Sequence, residues 1–267
     1  MTQTTAGAAG AATARKRFEG RVALITGAGH GIGRETARLL AAEGAQVAIA
    51  DISAGGAGQT CALIGDAGGQ AQAFPADCSD WASVQALIGA VTDRFGRIDI
   101  VHANAGVLRP GSALDQRIED WDTTFAVNVR GMFLLVKAVL PGMLERGGGV
   151  IVLTSSTSGL LGEAGVAAYC ASKGAVVNLT RQLAVEYARH GIRVNCVCPG
   201  WIDTGFNDPM LKGVTDAELA ETIDRFVPLG RQGSPEEIAR CVAFLASDDA
   251  SLVHGHALVA DGGLTAQ

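Results

Sequence analysis

Val22-Ala23-Leu24-Ile25-Thr26-Gly27-Ala28-Gly29-His30-Gly31-Ile32-Gly33 carries an apolar strand straight into a glycine-rich turn, and helical spacing follows over 31–43. Glycines let a chain turn tightly and let its backbone approach a pyrophosphate, which then faces the partial positive charge of a helix N-terminus. The spacing is not G-x-G-x-x-G, and no Gly-Lys-Ser/Thr of a P-loop follows. A tight turn without a ligand is the alternative reading of these residues alone. Outward from this unit the same rhythm repeats. Apolar strand-length runs occupy 46–51, 70–75, 98–103, 149–155, 192–198 and 256–260. Helical spacing occupies 55–66, 80–95, 117–145, 166–190 and 234–247. Continuously apolar strands alternating with helices predict a parallel sheet covered on both faces. Right-handed crossovers make it a single doubly wound, Rossmann-like α/β domain, with ligands at the carboxyl ends of the strands.

The chain has 267 residues, 48% of them hydrophobic, enough for a substantial core. A net charge of −6 argues against nucleic acid as a partner. The most apolar stretch, Gly131 to Leu144, is interrupted by Lys137 and Pro141, so no membrane span is expected. Six cysteines at 61, 78, 170, 196, 198 and 241 form no C-x-x-C pair and no metal-ligand spacing. They are read as free thiols in a reducing cytoplasm, with no metal site. Residues 1–17, small and then basic, are expected as a flexible tail, and 18–267 as the domain.

The strand ends carry polar groups. Asp51 closes the second strand, 18 residues after Gly33, with Ile52 following. A carboxylate there can accept from both adenosine ribose hydroxyls and would repel a 2′-phosphate, so NAD is expected rather than NADP. Its other reading is a cap of the next helix. Asp77-Cys78 ends the third strand and Asn104-Ala105-Gly106 the fourth, on the same rim. The fifth strand ends in Ser155-Ser156, and Tyr169 and Lys173 follow at helical i, i+4 spacing. A free phenol, with a pKa of about 10, is ionised only about 0.1% at neutral pH. A lysine ammonium one turn away is expected to lower that pKa, so that Tyr169 can exchange a proton with an alcohol oxygen.

Several motifs in this order resemble the short-chain dehydrogenase/reductase family, over about 18–263. They are Thr26-Gly27-x-x-x-Gly31-x-Gly33, Asn104-Ala105-Gly106, Asn128 in Val127-Asn128-Val129, Ser156 placed 13 residues before Tyr169, and Tyr169-x-x-x-Lys173. Pro199-Gly200-Trp201-Ile202-Asp203-Thr204 and Asp261-Gly262-Gly263 complete the set, while Ala103 departs from the usual Asn. The resemblance implies that Tyr169 is the general acid/base. Lys173 would lower its pKa and bind the nicotinamide ribose, Ser156 would orient the substrate oxygen, and Asn128 would bend its helix and hold a relay water. It also implies cofactor contacts at Gly27, His30, Gly31, Ile32, Gly33, Asp51, Ile52, Asp77, Cys78, Asn104, Ala105, Gly106, Pro199, Gly200, Ile202 and Thr204. The implied function is oxidoreduction of a secondary alcohol or ketone. The alternatives are a catalytically silent dinucleotide-binding protein of the same fold and a nucleotide-sugar epimerase or dehydratase. Family members are commonly homotetramers, and the consecutive apolar residues Met132 to Val136 fit such an interface. Cations are sparse near the reacting centre, so a neutral substrate is expected: an apolar secondary alcohol or ketone, or a small polyol or sugar. Thr215 and Glu218 are expected to cap a short helix over the cleft.

Overall fold

A computed structural model describes residues 16–267. The tail expected over 1–17 lies outside the described residues as far as residue 15. Arg17 is inside them, and its guanidinium donates to Glu43 Oε1 at 2.7 Å. Seven strands follow the predicted runs: β1 (Val22–Thr26), β2 (Gln46–Asp51), β3 (Gln70–Pro75), β4 (Ile100–Ala103), β5 (Gly149–Thr154), β6 (Ile192–Pro199) and β7 (Ala257–Ala260). They form one sheet in the order β3-β2-β1-β4-β5-β6-β7, and each pairing is parallel. The order reverses between β1 and β4, which opens a crevice at their carboxyl ends.

Side-chain alternation sends one set of strand residues to each face. Leu24, Val101, Ile151, Leu153 and Val194 pack under α3 (Trp81–Phe95), α5 (Met132–Arg146) and α6 (Ala167–Tyr187). Ala23, Ile25, Val47, Ile100 and Val152 pack under α1 (Gly31–Ala42), α2 (Ala54–Asp66) and α8 (Pro235–Ala246). Cys196 and Cys198 lie on the first of these faces, and all six cysteines are free thiols. Local chemistry sets the helix starts. The Ser53 hydroxyl caps α2 and Asp80 caps α3. Capping boxes open α7 (Asp216–Phe226) through Thr215 and Glu218, as predicted, and α8 through Ser234 and Glu237.

The helix predicted over 117–145 is three pieces on one course: α4 (Ile118–Phe125), a π turn (Ala126–Gly131) and α5. Pro141 sits inside α5 and removes one helical donor without ending the helix. Lys137 and Pro141 thus interrupt the apolar run without breaking the helical course predicted over 117–145. Ile118–Arg146 is a 29-residue rod with a window of mean hydropathy 1.5, long and apolar enough by those measures to cross a membrane. Half of that window is buried inside the protein, where the sheet explains its apolar residues.

Candidate active site

A cleft of about 890 Å³ runs along the carboxyl ends of the strands. Its floor is the turn between β1 and α1. Gly27 and Gly31 have φ of 63° and 51°, which an L side chain rarely adopts. A Cβ on Gly33 would lie 2.3 Å from the Gly27 carbonyl oxygen, so only glycine lets α1 start this close to the turn. Thr26 Oγ1 accepts from the amides of Asn104 and Ala105 at 3.1 and 3.2 Å. Asn104 Nδ2 donates back to the Thr26 and Gly27 carbonyls at 3.1 Å each. The Asn-Ala-Gly segment thus clamps the glycine turn. His30 precedes α1 without a side-chain cap, which leaves the first amides of the helix without one.

Asp51 is buried, and each of its oxygens accepts one backbone amide. Gly29 N reaches Oδ2 and Ser53 N reaches Oδ1, both at 2.8 Å. The capping role on α2 falls to Ser53 and not to Asp51. Tertiary closure brings a cation that sequence neighbours do not show. Arg34 donates to the Gly29 carbonyl, to Thr60 Oγ1 at 3.1 Å and to Gln59 Oε1 at 3.2 Å. Ile52, Asp77 and Cys78 also line this end of the cleft. Burial, with the neighbouring Asp77 charge, pushes the Cys78 thiol up to about 11.

At the other end Lys173 is 2% exposed, and its Nζ donates to the Thr154 carbonyl at 2.9 Å. The same ammonium lies 5.5 Å from the centre of the Tyr169 ring. Burial lowers Lys173 to about 8. Burial also raises Tyr169 above its ordinary value, opposed by the Ser156 hydroxyl and assisted by the Glu163 charge. The expectation of a lowered phenol pKa is thus corrected: Lys173 donates to Thr154, and desolvation of the phenolate wins. Ser156 Oγ donates to Ser158 Oγ at 3.2 Å, and the Ser155 hydroxyl is committed to the Lys173 carbonyl at 2.8 Å. Ser156, and not Ser155, is among the groups that act on the Tyr169 phenol. Phe206 packs beside the Tyr169 ring with centroids 5.9 Å apart.

Of the sequence-derived residues, Gly106, Ala105, Pro199, Gly200, Ile202 and Thr204 also line the cleft. Gly33 and Asn128 do not. Asn128 is fully buried in the π turn, where Oδ1 accepts from Val107 N at 2.8 Å and Nδ2 donates to Ser172 Oγ at 3.1 Å. It ties the β4 exit loop to α6. Sequence reasoning missed Arg34 and Ser158 in the wall. No spacing signal points to them, because loop closure places them there.

The trough fits a dinucleotide. Glycines keep its floor free of side chains, a helix start faces it, and a buried phenol–amine pair with a serine hydroxyl stands at one end. Such a site can move a proton at an alcohol oxygen beside a bound redox cofactor.

Comparison with known proteins agrees. The family model described as enoyl-(acyl carrier protein) reductase matches residues 27–265. The chain is 43% identical to 2-(S)-hydroxypropyl-CoM dehydrogenase 3 of Xanthobacter autotrophicus, over 94% of this chain and 98% of that one. It is 41% identical to meso-2,3-butanediol dehydrogenase of Serratia marcescens, over 94% and 96% of the two chains. A solved structure of a putative NAD(P)-dependent gluconate 5-dehydrogenase from Beutenbergia cavernae, with bound NADP, superimposes with a TM-score of 0.88 at 36% identity. That match covers 94% of this chain and 99% of the other.

Proposed function

The chain belongs to the short-chain dehydrogenase/reductase family, and on that footing we propose an NAD-preferring dehydrogenase for neutral secondary alcohols with Tyr169 as its general acid/base. The observation that carries the reading is Tyr169 and Lys173 buried side by side at the end of a dinucleotide-sized trough. The nicotinamide cofactor, when bound, accepts the hydride from the alcohol or returns it to the ketone. Gly27, His30, Gly31, Ile32, Asp51 and Asn104 would hold its adenosine and phosphates, and Pro199, Gly200, Ile202 and Thr204 its nicotinamide. Ser156 orients the substrate oxygen, and Tyr169 takes its proton during oxidation. Lys173, 5.5 Å from the centre of the phenol ring, supplies positive charge that favours the phenolate. Asn128 acts through the backbone it ties rather than by touching substrate. The wild-type protein with NAD and a panel of secondary alcohols is expected to accumulate reduced cofactor. A protein that binds NAD and oxidises none of them fits the silent-binder reading instead.

Asp51 supports the preference for NAD, since its fixed carboxylate would face a 2′-phosphate. Arg34 and His30 are the groups that would favour the phosphate. Asp51→Ala is expected to narrow the NAD-to-NADP ratio of kcat/KM by about tenfold, the worth of about 1.4 kcal/mol of lost discrimination. A wild type that uses both cofactors equally removes the assignment.

The run Met132 to Val136 is corrected as an interface: only Phe133 stays exposed, and the other four are core residues. Ile118, Trp121, Leu144 and Val185 are also exposed on α4 to α6. These exposed apolar residues support contact between copies. A homotetramer is expected by light scattering at micromolar concentration, and a monomer there contradicts it. Free thiols fit a cytoplasmic setting.

A further inference from the structure

Glu163 lies on the loop between the 3₁₀ turn at Thr157–Gly159 and α6, in the wall of the cleft beside Ser156 and Tyr169. Its Oε2 accepts from Ser158 Oγ at 2.7 Å, and Ser158 Oγ accepts from Ser156 Oγ at 3.2 Å. Ser158 is 6% exposed, so a buried hydroxyl tethers the carboxylate to the serine that meets the substrate oxygen. Among the described residues no donor is bonded to the second oxygen, Oε1. The charge is near enough to act on Tyr169. Leu108, Phe206 and Met210 pack as an apolar group around Tyr169. The cations nearby are committed elsewhere: Lys173 to the Thr154 carbonyl and Arg109 to Asp120.

We propose that Glu163 Oε1 accepts a second substrate hydroxyl, on the carbon next to the one that reacts, so that vicinal diols and their α-hydroxy ketones are the preferred substrates. This rests on the dehydrogenase reading above. A carboxylate shut away from water needs a donor. A monoalcohol filling the cleft leaves Oε1 without one, whereas a diol supplies a charge-assisted hydrogen bond. Sites built to bond a substrate hydroxyl reject the analogue lacking it far more steeply than apolar pockets sort methylenes. The same charge repels substrate carboxylates and phosphates. The reaction balances as one carbinol: its C–H leaves as hydride to NAD, its O–H proton goes to Tyr169, and the second hydroxyl stays intact.

The test measures kcat/KM for matched pairs, 2,3-butanediol against 2-butanol and 1,2-cyclohexanediol against cyclohexanol, in wild type, Glu163→Gln and Glu163→Leu. Wild type is expected to favour each diol by about tenfold or more. The diol-to-monoalcohol ratio is expected to fall about tenfold in Glu163→Leu, with Glu163→Gln between the two because its amide oxygen still accepts. Equal use of diol and monoalcohol by wild type, or an unchanged ratio in Glu163→Leu, overturns the subsite and leaves the dehydrogenase reading standing. Absence of turnover of all four alcohols by wild type, with NAD bound, overturns both.

Discussion

Tyr169→Phe is expected to lower kcat by about two orders of magnitude or more, because positioned proton transfer is worth about that much. The substitution removes one oxygen and keeps the ring that packs against Phe206. Cofactor binding, read by the fluorescence of reduced nicotinamide, is expected to change little. The loss then lies in kcat rather than in ground-state binding. The pH dependence has a definite sign. Burial holds the phenol pKa above its ordinary value. Oxidation, which needs the phenolate, therefore gains rate as pH rises from neutrality, while ketone reduction, which needs the phenol, does not. The charged or titratable neighbours of the phenol are Lys173, Glu163, Cys170 and Cys198. Near-normal turnover in Tyr169→Phe would remove the assignment of the general acid/base.

The second large effect is at the glycine turn. In Gly33→Ala the new Cβ would stand 2.3 Å from the Gly27 carbonyl, 2.7 Å from Asn104 Nδ2 and 2.9 Å from Ala28 Cα. Two of these are backbone atoms, so β1 and α1 must separate for the methyl to fit. We expect a loss of about 3 kcal/mol in denaturant unfolding, in the upper range for a single substitution. We also expect cofactor affinity to fall by about a hundredfold, equivalent to about 2.7 kcal/mol. Gly89→Ala is the matched control: Gly89 lies in α3 with nothing within 4 Å of its would-be Cβ. That change is expected to be neutral or to stabilise by up to about 1 kcal/mol. Wild-type cofactor affinity in Gly33→Ala would show that the turn does not seat the dinucleotide.

The inner strands were legible because burial on both faces leaves unbroken apolar runs, and Val22–Thr26 is buried along its whole length, whereas the edge strand β3 is partly exposed and alternates Gln with Ala. Asn104 and Lys173 were legible as members of spaced motifs. The π turn around Asn128 was not legible as such, since one added residue in a helical repeat barely disturbs apolar spacing over 117–145. Arg34 reaches the Gly29 carbonyl only through the closure of α1 on the turn. The direction of the Tyr169 shift depends on burial, which i, i+4 spacing does not carry. The tether of Glu163 to Ser156 through Ser158 comes from the loop geometry, which no sequence spacing carries.

The central claim is direct hydride transfer from a secondary alcohol whose proton goes to Tyr169. The measurement that tests it most directly follows deuterium from the carbinol carbon of labelled 2,3-butanediol or 2-butanol into the reduced cofactor formed by the wild-type protein. The account predicts reduced cofactor that carries the label. Reduced cofactor without the label, or none formed while NAD is bound, would contradict it.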